Sequence, residues 1–479
     1  MNFLTFRRRS GVTVLAAIAV LMVAACGPGE PEPITTPAPV ERPKVSVAPP
    51  APMPEPERPV VPSGLATGLD RFETTGGTDF RLRRVVLTRP DMAGASPVRV
   101  AVLTPQEGTA AQVGRNLLAA AQLALFDARE PRLVLMPRAS GDTPESAADA
   151  ARAAIAEGAE LIVGPLFGAQ VPAVRDIAAA AGVPVLSFSN DISVAGNGVW
   201  TLGIDPRTEI GTVIGFAAAR GHSRVAAFLP DSTYGDVVRG ALLERAEALA
   251  VDVPRISLYP AGSEANDEAL LQAARLFADY DLRKAALEKE RAQLAARDDA
   301  ISKAALKRLD TLDTLGDPPF DAVLLAEPAP RLPTIAPLLA FYDVDPSVVR
   351  LLGMGSWYAT DLGKEPNLIG AWFPGPDPAL FEAFATRFAQ TFGHRPGRIA
   401  TLGYDAIALV AALVRDSAGT PRPLTPAALE SPDGFSAYYG TFRLLADGRT
   451  QRLLPVLEVT QEGLRVVAPA PAGFTPLTN

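Results

Sequence analysis

The chain has 479 residues, 48% hydrophobic but only 6% aromatic, with a formal net charge of −8. That length accommodates two domains with full cores, packed mainly by Ala, Val and Leu. One cysteine and two histidines exclude a disulfide framework and a multi-histidine metal site. The acidic balance argues against nucleic acid as a partner.

Arg7, Arg8 and Arg9 precede an uncharged apolar run from Gly11 to Val23, which ends in Val23-Ala24-Ala25-Cys26. A basic start, a short apolar stretch and small residues before a cut make an export signal. The run falls short of the roughly 20 apolar residues a membrane span needs. Val23 to Cys26 resembles the lipobox of bacterial lipoproteins. That reading makes 1–25 a signal peptide and Cys26 the lipid attachment point, so the mature chain is anchored to a membrane rather than spanning one. Gly27 in place of aspartate implies sorting to the outer membrane. A plain secretory signal is the alternative.

Residues 26–95 read as a tether. Thirteen prolines fall among the 36 residues from Gly27 to Pro62. Proline at that density fixes φ and removes donors, so no core can form. At about 3.1 Å per residue, a polyproline-like segment of this length reaches roughly 110 Å. Phe80 to Leu87 fits an edge strand or further linker.

From Pro97 the pattern changes. Val98 to Leu103 reads as a strand, Gly114 to Asp127 as a helix, and Leu133 to Met136 as a strand. Pro144 to Glu157 is an Ala-rich helix, Glu160 to Val163 a strand, Gln170 to Ala181 a helix, and Val183 to Ser187 a strand. A second series follows, with strands at Val225 to Leu229, Val253 to Tyr259, Phe320 to Leu325 and Val349 to Gly353. Helices are expected between them at Tyr234 to Ala250, Glu264 to Asp279 and Leu332 to Tyr342. Short apolar strands alternating with helices indicate parallel α/β sheets buried on both faces. Two such series predict two doubly wound lobes, with a ligand crevice at the carboxyl ends of the strands.

No Gly-x-Ser-x-Gly elbow, Walker loop or His-Glu-x-x-His helix occurs. His222 and His394 both fall in loop contexts, where solvated polar residues are expected. The chain therefore reads as non-catalytic, with neither cofactor nor metal.

Five short motifs recur in order. They are Gly164-Pro165-Leu166, then Val183 to Ser189, Asp231 to Gly235, Gly403 to Ala406, and Gly440 to Arg443 with Asp447-Gly448-Arg449. Together they resemble the type I periplasmic binding fold of leucine/isoleucine/valine-binding proteins, over about Pro97 to Val467. The resemblance implies two doubly wound parallel-sheet lobes joined by three crossings. The chain would form the first lobe over 96–205, the second over 206–369, return over 370–440, and finish in closing strands over 441–479. The crossings would lie near Asp205, Gly370 and Gly440. Asp447-Gly448 would turn a Gly440–Val459 hairpin.

The resemblance further implies an interlobe cleft for a small polar ligand. Its candidate residues are Gly164, Pro165, Gly168, Ser187, Ser189, Asn190, Tyr234 and Trp357. Ser187, Ser189 and Tyr234 match positions that contact ligand in amino-acid-binding members. Two positions depart from that pattern. Phe167-Gly168-Ala169-Gln170 lacks the expected serine, and Leu352 to Trp357 lacks the acid that pairs an α-ammonium. A buried ammonium without an anionic partner is costly. A lipobox on this fold is also similar to the penicillin-binding protein activator lipoproteins, although the stretch between Cys26 and Pro97 reads as a proline tether and not as the helical repeat those proteins carry before the binding fold.

Leu282 to Asp310, within an insertion at 281–315, carries eight basic and five acidic residues and no Gly or Pro. It should be helical, about 43 Å long if continuous. Leu287, Leu294, Ile301 and Arg308 fall seven apart, but the intervening positions are mostly polar. A partner-contact arm and a solvated helical hairpin are both open. Two functions follow. One is a lipid-anchored periplasmic regulator that activates a bifunctional penicillin-binding protein by contact. The alternative is a solute receptor for an ABC transporter.

Overall fold

The chain divides into two units, Met1–Val85 and Val86–Asn479. The computed structural model describes residues 96–474, apart from 263–266, 328–330, 360 and 418–421. The expected signal peptide, the Cys26 attachment point, the proline tether and the strand at Phe80 to Leu87 lie outside the described residues.

The first lobe opens with β1 (Val98–Thr104), α1 (Ala111–Ala128), β2 (Leu133–Ala139), α2 (Pro144–Ala156) and β3 (Leu161–Val163). It continues with α3 (Val171–Ala180), β4 (Val185–Ser187) and β5 (Val199–Thr201). The five strands form one parallel sheet in the order β2-β1-β3-β4-β5. Alternation along β1 explains its unbroken apolar sequence. Val98, Val100 and Val102 enter one core with α1, while Ala101 and Leu103 enter another with α2 and α3. Successive side chains of a strand point to opposite faces, so a doubly covered strand must be apolar throughout.

The second lobe contains α4 (Pro206–Ala219), β6 (Val225–Asp231), α5 (Thr233–Leu249), β7 (Ile256–Pro260) and α6 (Glu268–Phe277). After the insertion come β8 (Ala322–Leu325), α9 (Leu332–Phe341), β9 (Arg350–Leu352) and β10 (Trp372–Pro374). The same division recurs in β8, where Ala322 and Leu324 face one core and Val323 and Leu325 the other.

The insertion holds two helices, α7 (Tyr280–Ala295) and α8 (Ala300–Leu309), so the single long rod is replaced by a hairpin. Asp299 breaks it, because its carboxylate accepts the N–H of Ser302 at 2.8 Å and caps α8. Leu287 is buried but Ile301 is 83% exposed, so the seven-residue spacing forms no seam. Arg283 roots the hairpin, donating to the Gly316 carbonyl and pairing with Asp343 at 3.1 Å.

The chain stays in the second sheet beyond Gly370, because β10 runs parallel to β9 there. It returns to the first lobe through Gly375 to Asp377. α10 (Pro378–Phe392) and α11 (Ala400–Asp416) follow, and α11 packs on α1. Gly403 permits that approach, since a Cβ there would lie 2.2 Å from the Leu117 carbonyl oxygen. β11 (Thr441–Leu444) and β12 (Thr450–Leu453) pair as a hairpin of their own, with Asp447-Gly448 in the turn. Trp200 donates its indole N–H to the Leu445 carbonyl at 2.9 Å, which places this hairpin beside β5 in the first lobe.

The last crossing therefore comes at Leu454-Pro455 rather than near Gly440. β13 (Val456–Thr460) and β14 (Gly463–Ala468) then complete the second sheet, in the order β14-β13-β10-β9-β8-β6-β7. β13 pairs antiparallel with β10 and with β14. Because β13 belongs to the other lobe, the Gly440–Val459 hairpin expected from sequence is split between two sheets.

Among the described residues, no helix is long and apolar enough to cross a membrane.

Candidate functional site: the cleft between the lobes

The carboxyl ends of both sheets meet at a cavity of about 270 Å³. The first lobe contributes Asn190 after β4, Ile204 after β5, and Arg398 just before α11. The second contributes Pro206 and Glu209 from the start of α4, Tyr234 from the start of α5, and Ser356 after β9. Two helix starts reach the cavity because their caps hold them there. Asp205 accepts the N–H of Arg207 at 3.0 Å with Pro206 at the first helical position, and Ser232 accepts the N–H of Gly235 at 3.1 Å.

Of the residues singled out from sequence, Asn190 and Tyr234 line this cavity. The others lie behind it. Ser187 donates its hydroxyl to the Pro165 carbonyl at 3.0 Å and accepts the Ser189 N–H at 3.1 Å. Ser189 in turn accepts the Asp191 N–H at 3.0 Å. These hydroxyls brace the turn after β4. Gly168 packs against that turn, where a Cβ would lie 3.1 Å from the Ser189 Oγ. Gly164 has φ +104° and no room for a Cβ beside the Leu103 carbonyl, so it serves the strand exit. Trp357 is fully buried, and its indole donates to the Glu327 carbonyl at 3.0 Å. It is a core residue of the second lobe.

The charged residues of the cavity were not singled out from sequence. Glu209 is 5% exposed. Burial pushes its carboxyl up to about 7, against the opposing pull of the Arg398 charge and the N–H of Gly355. Tyr234 is raised by burial and then by the Glu209 charge. Arg398 is partly buried and lines the cavity. Burial opposes its charge, but Tyr439, Glu209 and Tyr234 outweigh that and raise its pKa. Its guanidinium donates to the Tyr439 hydroxyl. The Ser356 hydroxyl is buried without a hydrogen-bond partner.

A second acid, Glu327, follows β8 and is 3% exposed. It accepts from the Tyr259 hydroxyl and pairs with Arg331 at 3.2 Å, so its charge is matched within the protein.

Tyr439 anchors Arg398 from behind. Its N–H and that of Tyr438 donate to Asp405, at 3.3 and 2.9 Å. Its carbonyl accepts from Arg452 at 3.0 Å, and Arg452 also donates to the Leu202 carbonyl at 3.3 Å. Leu202 precedes the first crossing and Arg452 the last, so this buried cluster ties two interlobe connections to the cleft.

A larger groove of about 600 Å³ lies at the amino ends of β3, β4 and β5. Its charged side chains, Glu160 and Arg422, are partly or fully exposed. Among the described residues no cluster of His, Cys, Asp and Glu is arranged to hold a metal ion.

The chain belongs to the periplasmic binding protein family, whose sequence profile matches residues 97–463. Solved structures share its type I fold. A putative branched-chain amino acid ABC transporter from Rhodospirillum rubrum is 19% identical over 78% of this chain and 100% of its own, with a TM-score of 0.60. A branched-chain amino acid ABC transporter ligand-binding protein from Burkholderia xenovorans LB400 is 17% identical over 79% and 96%, with a TM-score of 0.57. A solute-binding protein from Rhodopseudomonas palustris BisB5, solved with 3,4-dihydroxybenzoic acid, is 16% identical over 80% and 98%, with a TM-score of 0.53. At these identities the likeness is one of fold. No curated protein matches the chain.

Proposed function

We propose that this protein is a periplasmic solute receptor that closes on a small polar ligand between its lobes, in the service of an ABC transporter. The observation that carries this reading is the cavity at the carboxyl ends of both sheets, lined by Glu209 and Tyr234 from one lobe and Arg398 from the other. Ligand pockets are expected at such switch points, with a few convergent polar groups. The solved relatives described as ABC transporter proteins support the same reading.

Attachment to the outer membrane through Cys26, and contact with a bifunctional penicillin-binding protein, remain proposals that rest on the N-terminal sequence. The basic α7–α8 hairpin is the surface such a contact would use.

A thermal-shift screen of the full chain against small metabolites tests the receptor reading. A ligand at 100 times its Kd adds about 2.7 kcal/mol of stability and raises the midpoint. X-ray scattering should then show compaction on adding that ligand. No shift with any metabolite, in a protein that melts cooperatively, overturns the reading.

A further inference from the structure

The three connections between the lobes are tied to one another. The first runs from Leu202 to Asp205, the second from Gly375 to Asp377, and the third through Leu454-Pro455. The second and third are joined on the side of the second lobe. There β10 pairs with β13, and the Gly375 N–H donates to the Pro455 carbonyl at 3.4 Å. The first and third are joined on the side of the first lobe by one side chain. Arg452, just before Leu454, donates to the Leu202 carbonyl at 3.3 Å. The start of the first connection is itself seated on the first lobe, because the Leu202 N–H donates to the Ser187 carbonyl at 2.7 Å and the Gly203 N–H to that of Ser189 at 3.2 Å.

Arg452 is 5% exposed and held from several sides. It also donates to the Tyr439 carbonyl at 3.0 Å, its guanidinium lies over the Phe442 ring at 4.8 Å, and the Asp405 charge acts on it. A buried ion pair adds little to stability over apolar side chains of the same volume, and its best-attested use is to fix one arrangement among several. A guanidinium suits that use, since it is a rigid fork that holds two acceptors at a set spacing, where an ammonium is a point charge. Tyr439 carries the arrangement to the cleft. Its hydroxyl accepts from Arg398, and a Cβ on Gly355 of the second lobe would lie 3.0 Å from that hydroxyl.

Resting on the receptor reading above, we propose that Arg452 is a positioning residue for lobe closure. It fixes the spacing at which the first and third connections leave the first lobe, and so confines the lobes to one bending axis. Three connections free to slide past one another would also permit twist and shear. With the fork in place the lobes open and close along one path, and Tyr439 keeps Arg398 in one position against the second lobe.

The test reads lobe motion in the empty full chain. Cys26→Ala removes the one native thiol. Ala153→Cys in α2 and Gln272→Cys in α6, both at exposed positions, then carry one nitroxide on each lobe. Double electron–electron resonance gives the distribution of distances between them. The expected result is one narrow distribution with Arg452, and a distribution about twofold broader, or split, with Arg452→Lys. Arg452→Lys keeps the charge that Asp405 meets and loses the fork, so a merely structural arginine would leave the distribution as it was.

A broad distribution with Arg452 present, or equal widths for the two proteins, overturns the proposal. If circular dichroism shows that Arg452→Lys does not fold, Asp405→Asn combined with Arg452→Gln replaces the charged couple by a neutral one and is read in the same way. No ligand is added, so a failed metabolite screen bears on the receptor reading alone, and equal widths bear on the role of Arg452 alone.

Discussion

Two carboxylate–arginine couples lie close together in this molecule, and they are finished differently. Asp405 and Arg452 sit at the interlobe connections. Asp405 accepts two backbone N–H groups, and Arg452 donates to the carbonyls of Tyr439 and Leu202. Glu209 and Arg398 sit at the cleft with one backbone donor and one phenol between them. Burial raises both acids, Asp405 to about 6 and Glu209 to about 7. A raised pKa therefore does not separate a structural acid from a functional one. The saturation of its partners does, together with whether a cavity stands in front of it.

Breaking the saturated couple should have the largest effect. Asp405→Ala orphans two buried N–H groups and leaves Arg452 uncompensated, which should cost about 3–5 kcal/mol in urea denaturation. A loss below about 1 kcal/mol would show that the couple is not the structural one.

The open couple should show its cost as pH dependence. The Glu209 carboxyl in the folded state lies above its unfolded value of 4.5, at about 7. Between those values the native state holds more protons, so stability falls as pH rises from about 4.5 to 7 and stays lower above it. The difference is on the order of 3 kcal/mol. Glu209→Gln should remove that part of the decline and leave the empty protein more stable than wild type at pH 7.5. Denaturant midpoints at pH 5 and pH 7.5 would reveal it, and parallel curves for the two proteins would contradict it.

Gly355 sharpens the comparison from the other side. A Cβ there would lie 2.2 Å from the Glu209 carboxylate and 3.0 Å from the Tyr439 hydroxyl. Gly355→Ala should cost about 1–3 kcal/mol by overpacking and weaken ligand binding as well. A variant as stable as wild type would mean that the lobes give way at this contact.

The smallest effect belongs to the hairpin. Ile301→Ser, at a position 83% exposed, should change stability by no more than about 0.5 kcal/mol. A larger loss would reveal that something covers that face.

Much of the fold was legible because its signals are local. Val98 to Leu103 and Phe320 to Leu325 are apolar throughout since both faces of each strand are covered, and that pattern survives in the sequence alone. The break in the insertion was also present locally, as the Asp299 cap. The site was less legible. Asp205-Pro206-Arg207-Thr208-Glu209 reads as a helix start, with a cap, a first-turn proline and an acid favoured by the helix dipole, so the acid of the cleft is disguised as a helix signal. Arg398 reads as a loop cation after Gly397. Ser187 and Ser189 look like free hydroxyls until the turn that uses them is seen.

By itself the sequence determined the two-lobed α/β architecture and the succession of most strands and helices along the chain, because hydrophobic periodicity, caps and turns act over a few residues. Only the tertiary structure decided where the lobes exchange chain. β10 and β13 carry apolar patterns that suit either sheet, and pairing across more than eighty residues assigns them. It also decided which charges are matched. Glu209 and Arg398 lie 189 positions apart (398 minus 209), and the meeting of two lobes brings both to one cavity, where their charges act on each other.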